Sequence, residues 1–165
     1  MLRRHLALLT LLAIALTAAC GKTSSPGDDG SPTLPISPSS GKPTVNVPDG
    51  PPPTELVVND LREGQGPAAK DGDTVIVHYV GVLYDTGEEF DASWNTEPLT
   101  PFPVTLGAGG VIVGWQQGLV GVKIGGQREL IIPPDLAYGP EGHPAGIPPN
   151  ATLIFVIDVV DIVRA

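Results

Sequence analysis

Residues 152–163 read Thr-Leu-Ile-Phe-Val-Ile-Asp-Val-Val-Asp-Ile-Val, the longest strand-like run in the chain. β-Branched and aromatic side chains dominate it; they pack well on a pleated surface and lose rotamer freedom in a helix. The odd positions Leu153, Phe155, Ile157 and Val159 share one side of a two-residue repeat, which gives a continuous apolar face. Asp158 and Asp161 interrupt the even and odd sets, which predicts that the chain leaves the core there. Working outward, Thr74-Val75-Ile76-Val77-His78-Tyr79-Val80 follows the turn signal Asp71-Gly72, and Asp85-Thr86-Gly87 closes a hairpin before Glu89-Phe90-Asp91. Further strands are expected at Glu55–Leu61, Pro103–Leu106 and Gln127–Ile132. Only Ile112–Val120, bracketed by Gly110 and Gly121, has a helical pattern. These elements sum to an antiparallel sheet with one short helix, an α+β fold.

Composition divides the 165 residues into three segments. All eight aromatic residues fall within 54–165, a stretch long enough for one core. Residues 21–53 hold nine Pro, six Ser and five Gly. Such a segment buries too little apolar surface to offset its ordering entropy, so a disordered tether is expected. Residues 1–20 start with Arg3 and Arg4 and continue through an apolar run, Leu6 to Leu16, that is short for a membrane span. The pattern is a secretory signal peptide. Its end, Leu16-Thr17-Ala18-Ala19-Cys20, resembles the bacterial lipobox, although Thr17 stands where leucine is usual. That resemblance implies lipidation at Cys20, export and attachment to the bacterial cell membrane. Gly21 in place of a retaining aspartate points to the outer membrane if there are two.

With 9 basic and 18 acidic residues the net charge is −9, which excludes general nucleic-acid binding, a task of Lys and Arg on phosphates. One cysteine permits no internal disulfide and no cysteine-rich metal site. His78 and His143 are the only histidines beyond the leader, and they form no metal-ligand spacing. Gly107-Ala108-Gly109 starts like a dinucleotide loop, but Ile112 stands where the third glycine is needed. Gly121 to Gly126 has phosphate-loop spacing, but Gln127 replaces the lysine. No metal and no cofactor is therefore expected. His78, on an alternating strand, is read as structural, and Glu88-Glu89 as a solvated hairpin.

A series of short motifs carries the reading further. Val77-His78-Tyr79-Val80-Gly81, Gly87-Glu88-Glu89-Phe90-Asp91 and Val111-Ile112-Val113-Gly114-Trp115 are followed by Gly125-Gly126-Gln127-Arg128. Pro134-Asp135-Leu136-Ala137-Tyr138-Gly139, Gly142-His143-Pro144 and Ile147-Pro148-Pro149-Asn150-Ala151-Thr152-Leu153 complete the order. The series resembles the FKBP family of peptidyl-prolyl cis–trans isomerases across essentially all of 54–165. The resemblance implies a five-stranded antiparallel sheet wrapped around one short helix. It also implies rotation about X–Pro bonds of proline-containing polypeptides, with macrolides as possible inhibitors.

By the same resemblance Trp115 is the pocket floor, with Tyr79, Phe90 and Phe155 as walls. The N–H of Ile112 and the hydroxyl of Tyr138 are donors to substrate carbonyls, and Asp91 is the polar group at the edge. Phe102, Val111, His143 and Ile147 complete the substrate-binding set. Two departures stand out. Val104 occupies the place of a second aromatic, which predicts a shallower wall. The 92–101 loop carries Trp94, Asn95 and Thr96 where an arginine often holds the pocket aspartate, which predicts a less restrained Asp91. A tethered module that binds proline-containing segments without turnover is the alternative function.

Overall fold

The computed structural model describes residues 41–165. The expected leader with Cys20, and residues 21–40 of the expected tether, lie outside the described residues. Strands β1 (Val57–Arg62), β2 (Thr74–Leu83), β3 (Glu89–Ala92) and β4 (Phe102–Thr105) precede helix α1 (Val113–Gly118). Strands β5 (Gln127–Ile132) and β6 (Leu153–Val163) follow it, and three single 3-10 turns lie in the connections. The antiparallel sheet runs β1-β5-β6-β2-β3, with β4 also paired to β2. The expected five strands are thus five positions filled by six. Val80–Val82 of β2 face β3, Thr74–Val77 face β4, and residues 93–101 bulge out between the two pieces of that edge.

β6 lies at the centre, between β5 and β2, and this corrects the expected exit at Asp158. Every residue from Leu153 to Val159 is buried, so the strand carries two apolar faces. Its odd face packs with α1 into the main core, and Ile154 joins an outer cluster with Val80, Val82, Tyr84, Ala92 and Ile131. Asp158 is itself fully buried, taking bonds from Arg62 Nη2 at 3.1 Å and Gln127 Nε2 at 3.0 Å. A buried carboxylate survives only with such donors. The parity change further on has another cause. Ile76 faces Asp161 and Val77 faces Val159, so Val160 is an extra residue in a bulge. Beyond it the core-facing set switches to Ile162, and Asp161 is turned to solvent.

Helix α1 is shorter than the predicted Ile112–Val120. It lies close against β5 because two of its inner positions lack a side chain. A Cβ on Gly118 would come within 2.6 Å of Leu130 Cδ2, and one on Gly114 would collide with Ile132. The tether prediction also needs correction at its C-terminal end. Val45 packs on the outer cluster, Tyr84 donates to the Pro51 carbonyl at 3.4 Å, and Lys42 reaches Glu89 at 2.7 Å. The folded unit therefore includes residues well before Thr54. A Pro-rich strap without aromatics builds no core of its own, but it can cover one that the sheet supplies. No helix among the described residues is long and apolar enough to cross a membrane.

Candidate active site

A cavity of about 250 Å³ opens between α1, the β3–β4 edge and the Tyr138 loop. Its floor is Trp115, placed by the first turn of α1 and only 4% exposed. Tyr79 of β2 and Phe155 of β6 stand edge-on to that indole, with ring centres 5.1 and 5.2 Å away. Phe90 of β3 meets Phe155 edge-on at 5.6 Å, and Phe102 of β4 closes the far side at 6.3 Å from Trp115. Edge-to-face packing suits the aromatic quadrupole and locks the ring orientations. Gly81 sits between them: a Cβ there would press into Phe90 and Phe155 at 2.7 and 2.8 Å.

Apart from the buried indole N–H of Trp115, which has no partner among the described residues, the polar groups lie at the rim. The Tyr79 hydroxyl donates to Asp91 Oδ2 at 2.7 Å, across the β2–β3 pair. This corrects the expected looseness of Asp91: the tyrosine does the holding that the missing arginine was expected to do. Burial first, and then the bond to the anionic carboxylate, raises the Tyr79 phenol far above its ordinary value. Burial, with a smaller contribution from the Asp91 charge, also raises Tyr138. Both hydroxyls are protonated donors at neutral pH. Tyr79 is committed to Asp91, whereas the Tyr138 hydroxyl and the Ile112 N–H meet no acceptor among the described residues. Ile112 is the residue before α1, where a backbone N–H has no helical partner by construction. Its carbonyl faces the other way, accepting from Trp115 N–H at 3.0 Å.

Of the residues singled out in the sequence, Tyr79, Phe90, Asp91, Phe102, Val111, Ile112, Trp115, Tyr138 and Phe155 line this cavity. Two others are placed elsewhere. His143 stacks on Tyr138 at 4.8 Å and accepts from Ala145 N–H at 3.2 Å, so it braces the hydroxyl-bearing ring. Ile147 is 5% exposed and belongs to the main core, pinned to His143 by two backbone bonds of 2.8 and 3.0 Å. Val104 is buried in the core and does not line the cavity, whose far side is closed by Phe102. Gly110, with φ of 86°, lines the cavity and was missed; the glycine run 107–110 was its only signal. His78 keeps a structural role, bonded to Ser93 Oγ at 3.0 Å and stacked on Trp94 at 4.8 Å.

A second cleft, also about 250 Å³, lies by β1, β5 and the 121–126 turn. Its cations are already engaged. Arg128 forks onto Asp60 at 2.7 and 3.0 Å and donates to the Gly118 and Val120 carbonyls. Arg62 bonds Asp158 and the Gly125 carbonyl, and Lys123 bonds Glu63. Groups bonded to one another in this way have little left to offer a ligand.

The chain is similar to proteins of one known family. The sequence profile of the FKBP-type peptidyl-prolyl cis-trans isomerases matches residues 66–160. An FK506-binding protein of Streptomyces anulatus is 58% identical over 120 residues, covering 72% of this chain and 95% of that protein. An FK506-binding protein 2B of Rhizopus delemar is 44% identical over 117 residues, covering 67% of this chain and 54% of the other. The crystal structure of FkpA from Escherichia coli superposes with a TM-score of 0.59 at 47% identity, over 67% of this chain and 49% of that one. An antiparallel sheet on one short helix, an aromatic hollow at its edge and these matches have one common explanation: the chain belongs to the FKBP-type peptidyl-prolyl cis–trans isomerase family.

Proposed function

We propose that this peptidyl-prolyl isomerase acts on X–Pro bonds of exported polypeptides, with the proline ring over Trp115 and the flanking carbonyls held by Tyr138 and Ile112. The observation that carries this reading is the division of labour at the rim. One tyrosine is tied to the only carboxylate lining the cavity, and one hydroxyl and one amide remain to donate above an apolar floor. The X–Pro bond turns slowly because rotation breaks amide resonance, a barrier of about 18–20 kcal/mol. A planar amide is more polar than a twisted one, so water holds back the rotation and a water-poor aromatic pocket releases it. Ile112 N–H and Tyr138 O–H fix the chain on either side while the bond turns. Asp91 contributes at one remove, holding the Tyr79 ring against the indole.

The export of this protein and its lipid anchor are supported by residues 1–20: Arg3 and Arg4, the short apolar run and the sole cysteine at its end. Two or more acyl chains at Cys20 would anchor it stably, where one alone binds only marginally. The same pocket is proposed to accept a macrolide of the kind for which the relatives are named. The test is isomerisation of a short X–Pro peptide by the full chain beside Tyr138→Phe, with and without FK506. Catalysis that falls in the variant and is blocked by the macrolide supports the reading. A folded chain that binds the peptide without accelerating it would make the protein a binding module. Incorporation of labelled palmitate, abolished by Cys20→Ser, tests the anchor.

A further inference from the structure

We propose that Lys42, in the strap preceding the sheet, is a positioning residue for the pocket: it clamps the segment that carries Phe90 and Asp91. The inference rests on the cavity being the isomerase site. Lys42 Nζ donates to Glu89 Oε1 at 2.7 Å and to Asn95 Oδ1 at 2.9 Å, and Asn95 Nδ2 donates to the same Glu89 oxygen at 2.9 Å. Three side chains thus close a ring across residues 89–95.

Everything the pocket draws from β3 lies inside the ring. Phe90 is a wall and Asp91 takes the Tyr79 hydroxyl. Ser93 Oγ accepts the Tyr79 N–H at 2.9 Å. The segment has little support of its own. β3 is four residues long, its pairing with β2 shifts register between Gly81 and Val82, and the irregular 96–101 stretch follows. A short edge piece held by few ladder bonds opens locally at low cost, and a clamp across its ends opposes that. Burial alone would raise the Glu89 carboxyl, yet the bonds from Lys42 and Asn95 hold it below its ordinary value. Lys42 is in turn delivered by the strap, which Val45 fastens to the outer cluster.

Because the ion pair is partly exposed, with side chains 37% and 32% accessible, its contribution to global stability is small. Its effect is on geometry, which separates positioning from mere support. In the full chain, Lys42→Met is expected to raise KM for a proline-containing tetrapeptide two- to fivefold, with kcat within a factor of two. Lys42→Arg restores the wild-type KM. Combining Lys42→Met with Glu89→Gln is no worse than the stronger single change, because both remove one clamp. Tyr84→Phe, which loosens the strap at Pro51 without touching the ring, leaves KM unchanged. An unaltered KM in Lys42→Met, or effects that multiply in the double variant, would overturn the proposal. Should the wild-type chain show no turnover, it is the isomerase reading that fails. Amide exchange then decides on the clamp: faster exchange across 89–95 in Lys42→Met supports it, and unchanged protection refutes it.

Discussion

Two hollows of the same size lie at different edges of this domain, one beside α1 and one beside the 121–126 turn. The first has an indole floor, four aromatic walls in Tyr79, Phe90, Phe102 and Phe155, and three donors without acceptors among the described residues: the Tyr138 hydroxyl, the Ile112 N–H and the indole N–H of Trp115. The second is lined by arginines and carboxylates bonded to one another. Volume does not distinguish them; the state of their polar groups does. Where every donor has its acceptor the hollow is part of the scaffold, and where donors stand unanswered over an apolar floor it is prepared for a ligand.

That contrast breaks most visibly at Arg128. Its guanidinium is buried and carries two carbonyls as well as Asp60, so Arg128→Met leaves those acceptors orphaned. A stability loss of about 3 kcal/mol is expected in urea unfolding, with kcat/KM unchanged per folded molecule. Tyr138→Phe should do the reverse. Stability should stay within about 0.5 kcal/mol, since the hydroxyl has no partner to lose, while kcat/KM falls about tenfold, the worth of one hydrogen bond in the transition state. Equal losses in both quantities would erase the distinction between the hollows.

A third substitution sharpens the boundary between scaffold and site. Tyr79→Phe releases Asp91 and should cost about 1 kcal/mol of stability together with a severalfold loss of activity, because this bond belongs to both. An unchanged KM for the peptide would show that Asp91 needs no holding. The smallest effect is one of pH. Hydrogen bonds from Arg128 hold the Asp60 carboxyl below its ordinary value of 3.8, against the opposing pull of burial. A depressed folded-state pKa contributes stability that is present above 3.8 and lost as pH falls through the lowered value. Asp60→Asn should therefore flatten the acid limb of the urea midpoint below about pH 4 and leave neutral activity intact, a small change because Asp60 is half exposed. A steeper acid limb would reverse the sign of the argument.

The strands were legible in the sequence because their period is a local property. Gln127–Ile132 emerges with the expected bounds, and Leu153, Phe155, Ile157 and Val159 share the core face. What escaped depends on a partner distant in the chain. Asp158 signalled an exit until Arg62 and Gln127 were beside it. The bulge at Val160 exists only relative to Ile76 and Val77. Val45 and Lys42 sit in a Pro-rich stretch whose composition speaks for disorder, and only the sheet's outer face gives them somewhere to dock. Within the site, the motif order located the cavity's rings and donors. It could not separate Ile147, which packs behind the loop, from its lining, nor foresee that Tyr79 would secure Asp91.

The central position of β6 also governs when this domain can form. Val77 waits for Val159 and Ile131 for Ile154, so neither the middle of the sheet nor the two-sided core exists until β6 has been synthesised. β1 in turn waits for β5, its partner some 70 residues later, as in Asn59 with Glu129. Topologies this non-local fold on the order of milliseconds to seconds, with loop closure preceding any reward from contacts. A ribosome-bound chain ending anywhere before Leu153 has exposed β-branched segments and no sheet centre to receive them. Folding of this domain therefore awaits β6.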